Sequence, residues 1–260
     1  PHIVTIFDAG EEHDLAYIAM EFLQGHDLQE HTRPGQLLPV ATVLSIGERV
    51  ARALDYAHRQ NVVHRDIKPA NIMYDPAGDS VKVTDFGIAR ITDDSRTRTG
   101  LVLGTPSFMS PEQLAGQRVD GRADLYALGV SLFQLLTGQL PLRGDSMAAL
   151  MYRIANQPPP DVRSLRPELP AALADILTKS MAKGPAERYQ SGAALADDLQ
   201  HVARQLSIDP VAPPPTASSS TAAFQATEVW TATLPQARTA GLPPPGDGAA
   251  PPRPTTEAAR

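Results

Sequence analysis

The sequence predicts an α+β protein: a small β-rich start, a larger and mostly helical body, then an unstructured tail. Three observations lead there. Short runs rich in β-branched residues occupy positions 1–20. From position 40 to 206, apolar residues recur at three- and four-residue steps or fill whole helical lengths. Beyond 206, proline, alanine, threonine and serine replace the large apolar side chains.

Taken in order, Ile3, Val4, Ile6 and Phe7 read as a strand ending at Asp8-Ala9-Gly10. Residues 15–20 read as its hairpin partner across the polar turn 11–14. Residues 21–28 relax into a Gly-containing linker. Val43, Ile46, Val50, Ala53 and Ala57, widened by Leu44, Ala51 and Leu54, mark an amphipathic helix over 40–59, with Pro39 at its first turn. Two short strands, 72–74 and 81–83, flank the turn-rich stretch 75–79. Residues 88–104 lack periodicity and read as a mobile loop. The stretch 125–136 is apolar nearly all round, so it is predicted to be a buried helix, and Gly138 is placed to end it. Helices are also expected near 146–155, 170–181 and 191–206, with Pro158-Pro159-Pro160 breaking the chain between the first two.

Composition narrows the function classes. A chain of 260 residues with 42% hydrophobic content has enough apolar material for a core, and a net charge of −6 gives no basic footprint for nucleic acid. Without cysteine, neither a disulfide framework nor a thiolate zinc site can form. No run of about 18 apolar residues exists, so no transmembrane helix or membrane contact is expected within the chain. No signal peptide precedes the strand pattern at Pro1. The expected location is cytoplasmic, with any anchor of the full-length protein lying in other segments. Residues 207–260 cannot bury enough apolar surface to offset the entropy of ordering them. Trp230 within them is either a docking peptide or, the favoured reading, an isolated apolar residue.

The densest chemistry lies in His64-Arg65-Asp66-Ile67-Lys68-Pro69-Ala70-Asn71, where an acid, cations and an amide crowd one loop. Asp85-Phe86-Gly87 follows across the hairpin. A lone Asp or Asn in such a loop would be read as a turn cap. Here four polar residues match in type and spacing, and a second motif matches independently. The pairing resembles the catalytic and metal-binding loops of eukaryotic-type (Hanks-type) serine/threonine protein kinases, and is similar to the bacterial receptor-like members.

That resemblance implies a protein-kinase-like fold. Residues 1–206 would be a partial kinase domain: 1–20 a remnant of the β-rich lobe, 21–28 the hinge and 29–206 the helical lobe. It implies transfer of the ATP γ-phosphate to Ser/Thr hydroxyls of proteins, with Mg²⁺, or Mn²⁺ in its place. Asp66 would orient the attacking hydroxyl and accept its proton, Lys68 would offset charge on the phosphoryl group, and Thr105 would bond both. Asn71 and Asp85 would ligate the metal. Met20 would be the gatekeeper, the backbones of Glu21 and Leu23 would bind the adenine edge, and Met73 would floor it. Asp27 would meet the ribose, although its position equally suits a helix N-cap. Lys68-Pro69 and Gly104-Thr105-Pro106 favour serine/threonine over tyrosine substrates.

The same resemblance implies regulation. Arg65 and Arg90 would form an anion pocket for a phosphate on Thr97 or Thr99, added by a second copy in trans; an unmodified polar loop is the plainer alternative. Glu112, in Ser110-Pro111-Glu112, would pair with Arg188. Asp124 would hold the backbone at His64 and Arg65, and His64 and Phe86 would stack with Ile6. No Gly-x-Gly-x-x-Gly occurs, nor a Val-Ala-x-Lys before Met20. A truncated kinase sequence, poorly active by itself and with an exposed apolar rim, is therefore expected. A noncatalytic binding module is the alternative. A small-molecule phosphotransferase is disfavoured by Arg65 and by the long segment after Asp85-Phe86-Gly87. Gly116 and Gly121 have P-loop spacing but lack the Lys-Ser/Thr pair that such a site requires.

Overall fold

A computed structural model describes residues 1–12, 15–86 and 106–208. The chain divides into two units, Pro1–Ser218 and Ser219–Arg260, and every described residue lies in the first. Strands β1 (Ile6–Glu12) and β2 (Leu15–Met20) form one antiparallel sheet. Strands β3 (His26–Asp27), β4 (Ile72–Asp75) and β5 (Ser80–Val83) form another in the order β3-β4-β5. The helices are α1 (Val40–Arg59), α2 (Pro111–Leu114), α3 (Gly121–Thr137), α4 (Met147–Asn156), α5 (Ala171–Ser180) and α6 (Gly192–Ile208).

The first strand corrects the expected one. It begins at Ile6 and runs through Asp8-Ala9-Gly10 to Glu12, because the residues before it serve the other sheet. The Val4 N–H donates to the Val83 carbonyl at 3.0 Å, and the Val83 N–H donates to that of His2 at 2.9 Å. Ile3 therefore bridges β5 in parallel instead of facing β2. The expected linker 21–28 is also partly strand: His26 and Asp27 pair with Tyr74 and Met73 of β4.

The helical body follows from its apolar patterns. Helix α1 buries Val43, Leu44, Ile46, Val50, Ala51, Ala53, Leu54 and Ala57, the residues that carried its periodicity. It packs most extensively against α6 and next against α3. Helix α3 is buried around most of its circumference, which is why its sequence shows no polar face. Asp120 caps its start by accepting from the Arg122 N–H at 3.0 Å. Gly138 ends it at φ 70°, a left-handed conformation that glycine adopts without steric cost, and donates to the Gln134 carbonyl. The core is continuous from Leu28 through α1, β5 and α3 to Leu199 of α6. Ile67, inside the polar loop, is fully buried in it. Burial of a side chain of that size is worth about 1.5–3 kcal/mol, so the loop is pinned from within.

The β1–β2 sheet is packed differently. Phe7, Tyr17 and Met20 are exposed there, as is Phe22 just beyond, at 87%. Among the described residues no helix is long and apolar enough to cross a membrane. The tail read as unable to fold lies outside the described residues, apart from Ser207 and Ile208, which extend α6 past the expected boundary.

Candidate active site

The chain leaves α1 through a tight reversal at Asn61, φ 60°, where the Val62 N–H donates to the Ala57 carbonyl. It then meets Asp124, in the first turn of α3. One carboxylate oxygen of Asp124 accepts from the His64 N–H at 2.9 Å, and the other accepts from the Arg65 N–H at 2.7 Å. His58, near the end of α1, donates through Nε2 to the same carboxylate at 2.8 Å. Asp124 is 1% exposed, so three donors compensate an otherwise costly buried charge. Arg65 sits at φ 69°, a left-handed conformation that non-glycine residues adopt only where surroundings enforce it. Its carbonyl accepts from Gln113 Nε2 at 2.9 Å. Gln113 in turn forms a capping box with buried Ser110 at the start of α2.

This bracing sets the acid. Asp66 Oδ2 accepts from Lys68 Nζ at 2.7 Å and from Asn71 Nδ2 at 3.1 Å. Asn71 Nδ2 also donates to the Asp66 carbonyl at 2.8 Å. Both contacts of that nitrogen are to acceptors, which fixes the amide orientation and leaves Oδ1 available as an oxygen ligand. The Asn71 carbonyl accepts from the Thr84 N–H at 3.0 Å, which locks the loop to the end of β5. His64 spans the same gap. Its Nε2 donates to the Thr84 carbonyl at 2.7 Å, so Nδ1 carries the lone pair and receives the Asp66 N–H at 3.3 Å. The Phe86 ring meets His64 edge-on at 4.6 Å between centroids. Asp85 between them is exposed and left-handed, φ 62°. Ile6, expected in the His64–Phe86 column, is 47% exposed.

At the other side of the cleft, Met20 ends β2, and Leu23 and Met73 line one hollow of about 180 Å³ together with Glu21 and Lys82. Lys82 binds the Glu21 carboxylate at 2.7 Å; bonds from Lys82 and the Thr5 N–H hold that carboxyl below its ordinary range. Asp27 closes β3, and its carboxylate accepts from the Gln29 N–H at 2.8 Å. The short 3-10 turn at Glu30–Thr32 is capped by Gln29 without a side-chain bond, so Asp27 is not the cap of that turn.

Below the loop, Arg188 grips Glu112 with two bonds of 2.7 and 2.8 Å. Its remaining N–H groups reach the carbonyls of Ala182, Lys183 and Arg122. Burial pushes the Glu112 carboxyl up, but the Arg188 bonds and charge, a backbone bond and Ser110 together outweigh it and leave it below the ordinary value. Beside them, burial lowers Lys183 to about 8, with the Arg188 charge acting the same way.

The structure thus brings together His64, Arg65, Asp66, Lys68, Asn71, Asp85, Phe86 and Asp124, and pairs Glu112 with Arg188. Arg90, Thr97, Thr99 and Thr105 lie outside the described residues. Four contributors were not foreseen: His58, Gln113, Lys82 and the close approach at Gly121, where a Cβ would strike the His58 ring. Their partners lie far along the chain, and no local pattern announces such contacts.

A helical body that carries this loop, joined to a small two-stranded sheet, is the protein-kinase-like fold. The family described as protein kinase domain matches residues 1–200, and the chain belongs to it. It is 38% identical over 201 residues to the serine/threonine-protein kinase PrkC of Bacillus subtilis, covering 77% of this chain and 31% of that protein. It is 44% identical over 202 residues to PknJ of Mycobacterium tuberculosis, with 75% and 34% covered. The crystal structure of the Mycobacterium tuberculosis PknI kinase domain superimposes with a TM-score of 0.62 at 34% identity, covering 78% of this chain and 72% of that one. The chain thus spans about a third of the length of these curated relatives. The family uses ATP and a divalent metal ion.

Proposed function

We propose that the protein transfers the γ-phosphate of ATP to serine and threonine hydroxyls of protein substrates. The observation that carries this reading is the Asp66 carboxylate, held at 2.7 Å by Lys68 and at 3.1 Å by Asn71 in a loop braced at both ends. The names of the relatives, all serine/threonine-protein kinases, support the same class.

The substrate hydroxyl attacks the γ-phosphorus, the bond to the β-phosphate oxygen breaks, ADP leaves, and the hydroxyl proton passes to Asp66. Lys68, on the same carboxylate, offsets negative charge on the phosphoryl group as it transfers. Bound at Asn71 Oδ1 and Asp85, Mg²⁺ would neutralise charge on the phosphates; oxygen donors, one neutral and one anionic, fit that hard cation. Asp85 presents an exposed carboxylate for this, and the Thr84–Asn71 bonds keep it beside the loop. The backbones of Glu21 and Leu23 bind the adenine edge beside Met20, and Met73 lies against its face. Thr105 bonds Asp66 and Lys68. A phosphate on Thr97 or Thr99, added by a second copy, pairs with Arg65 and Arg90 and orders the loop. Use of ATP places the domain in the cytoplasm. Residues 1–206 act as the kinase portion.

In the full-length protein, Asp66→Asn is expected to lower transfer of labelled γ-phosphate to an acceptor protein by at least about 100-fold, within the range set by losing a general base. A rate within severalfold of wild type would overturn the assignment.

A further inference from the structure

Lys82 and Glu21 join β5 to the linker that follows β2. Lys82 lies on β5, directly across from Met73 on β4, so both side chains leave the same face of the sheet toward the linker. The opposite face, with Ile72, Val81 and Val83, belongs to the core. Lys82 Nζ is held at 2.7 Å from Glu21 Oε1 and at 3.4 Å from the Ile3 carbonyl. The same Glu21 oxygen accepts from the Thr5 N–H at 2.7 Å, and the Glu21 N–H donates to the Thr5 carbonyl at 2.9 Å. Both chain segments between the helical body and the β1–β2 sheet are therefore tied to one ammonium group. The side chains of Lys82 and Glu21 are 20% and 26% exposed.

We propose that Lys82 is a positioning residue for nucleotide binding: by fixing Glu21 and Ile3 it sets the backbone of the linker against Met73, and so the register in which an adenine is recognised. The inference rests on the reading of residues 21–23 as the adenine-binding hinge. It assigns a task to a side chain bound to the linker and not to the loop at His64–Asn71. The Glu21 carboxylate is turned to Lys82 and Thr5, leaving its carbonyl as the group offered to a base.

The test uses the full-length protein with Lys82→Met, Lys82→Arg and Glu21→Gln, and two readouts. The first is affinity for adenosine, which is uncharged, so a lost lysine charge has no direct electrostatic effect on it. Lys82→Met and Glu21→Gln are each expected to weaken it roughly three- to fivefold, the scale of a well-held ion pair, and Lys82→Arg to restore most of it. The second is hydrogen exchange at the Thr5 and Glu21 amides, expected to quicken in Lys82→Met. Unchanged adenosine affinity overturns the positioning role even if exchange quickens. Weaker affinity with unchanged exchange overturns it too, because the clamp would then not be the cause. If wild-type protein binds no adenosine, the proposed function fails on its own account; exchange then judges the clamp alone, and unchanged exchange in Lys82→Met refutes it.

Discussion

Replacing Arg188 by methionine tests the packing beneath the site. Arg188 is 2% exposed, and its guanidinium satisfies the Glu112 carboxylate with two bonds and three backbone carbonyls with its other hydrogens. Methionine matches much of the volume but donates nothing, so Glu112, 6% exposed, keeps a buried charge without its partner. Breaking a buried pair in this way costs about 3–5 kcal/mol. For a domain of this size each kcal/mol lowers Tm by about 2–4 °C, so a fall of roughly 6–20 °C is expected in thermal unfolding followed by circular dichroism. Glu112→Met/Arg188→Met should be less destabilised than the sum of its single variants, by about 0.5–3 kcal/mol. It should not regain wild-type stability, because the three carbonyls still lack donors. The pair is also linked to pH. The Glu112 carboxyl lies below its ordinary value of 4.5 in the folded chain, so its contribution is complete above 4.5 and is lost as pH falls through the depressed value. Strictly additive single variants, or Arg188→Met within about 1 kcal/mol of wild type, would refute the reasoning.

Two further outcomes can be checked on the same chain. Gly121→Ala places a methyl group on the His58 ring, which must leave Asp124; overpacking of this kind costs about 1–3 kcal/mol in urea unfolding, and the His64 and Arg65 amides should exchange faster. Unaltered protection at those amides would show that His58 does not brace the loop. Lys183 is lowered from 10.5 to about 8, chiefly by burial, while its ammonium donates to the Ile154 carbonyl near the end of α4. Wild type should therefore gain stability relative to Lys183→Met as pH rises from about 8 to 10.5, since the penalty for charging the folded group disappears over that interval. A stability difference that stays flat from pH 7 to 10.5 would contradict this.

The legible parts of the fold were those whose cause is local. The three- and four-residue steps in α1, the unbroken apolar run of α3 and the glycine at 138 each express a constraint within one element. The start of β1 was misplaced because Ile3 and Val4 carry strand propensity without naming a partner. Only the fold reveals that β5 takes them instead of β2. Within the site, the acid, lysine and amide stand together in sequence, so their spacing could be read. His58, Gln113 and Lys82 act across separations of 66, 48 and 61 residues, through bonds that any histidine, glutamine or lysine can make. Ser110 shows the same limit. Its hydroxyl and backbone complete the capping box that carries Gln113 to Arg65, a contact no local pattern announces.

Helix α1 lies mainly against α6, and the Ala193 N–H at the start of α6 donates to Asp55 of α1. Leu195, Leu199, Val202 and Leu206 supply the apolar side of that contact. A ribosome making this chain releases α1 some 130 residues before its main neighbour exists, a separation of the same order as the 138 positions between Asp55 and Ala193. Until α6 emerges, the stripe Val43–Ala57 lacks its main cover, and a nascent chain that pauses in this interval offers an apolar surface to chaperones or to its neighbours. The helix that delivers the loop at His64–Asn71 is thus synthesised well before the helix that gives it most of its shelter.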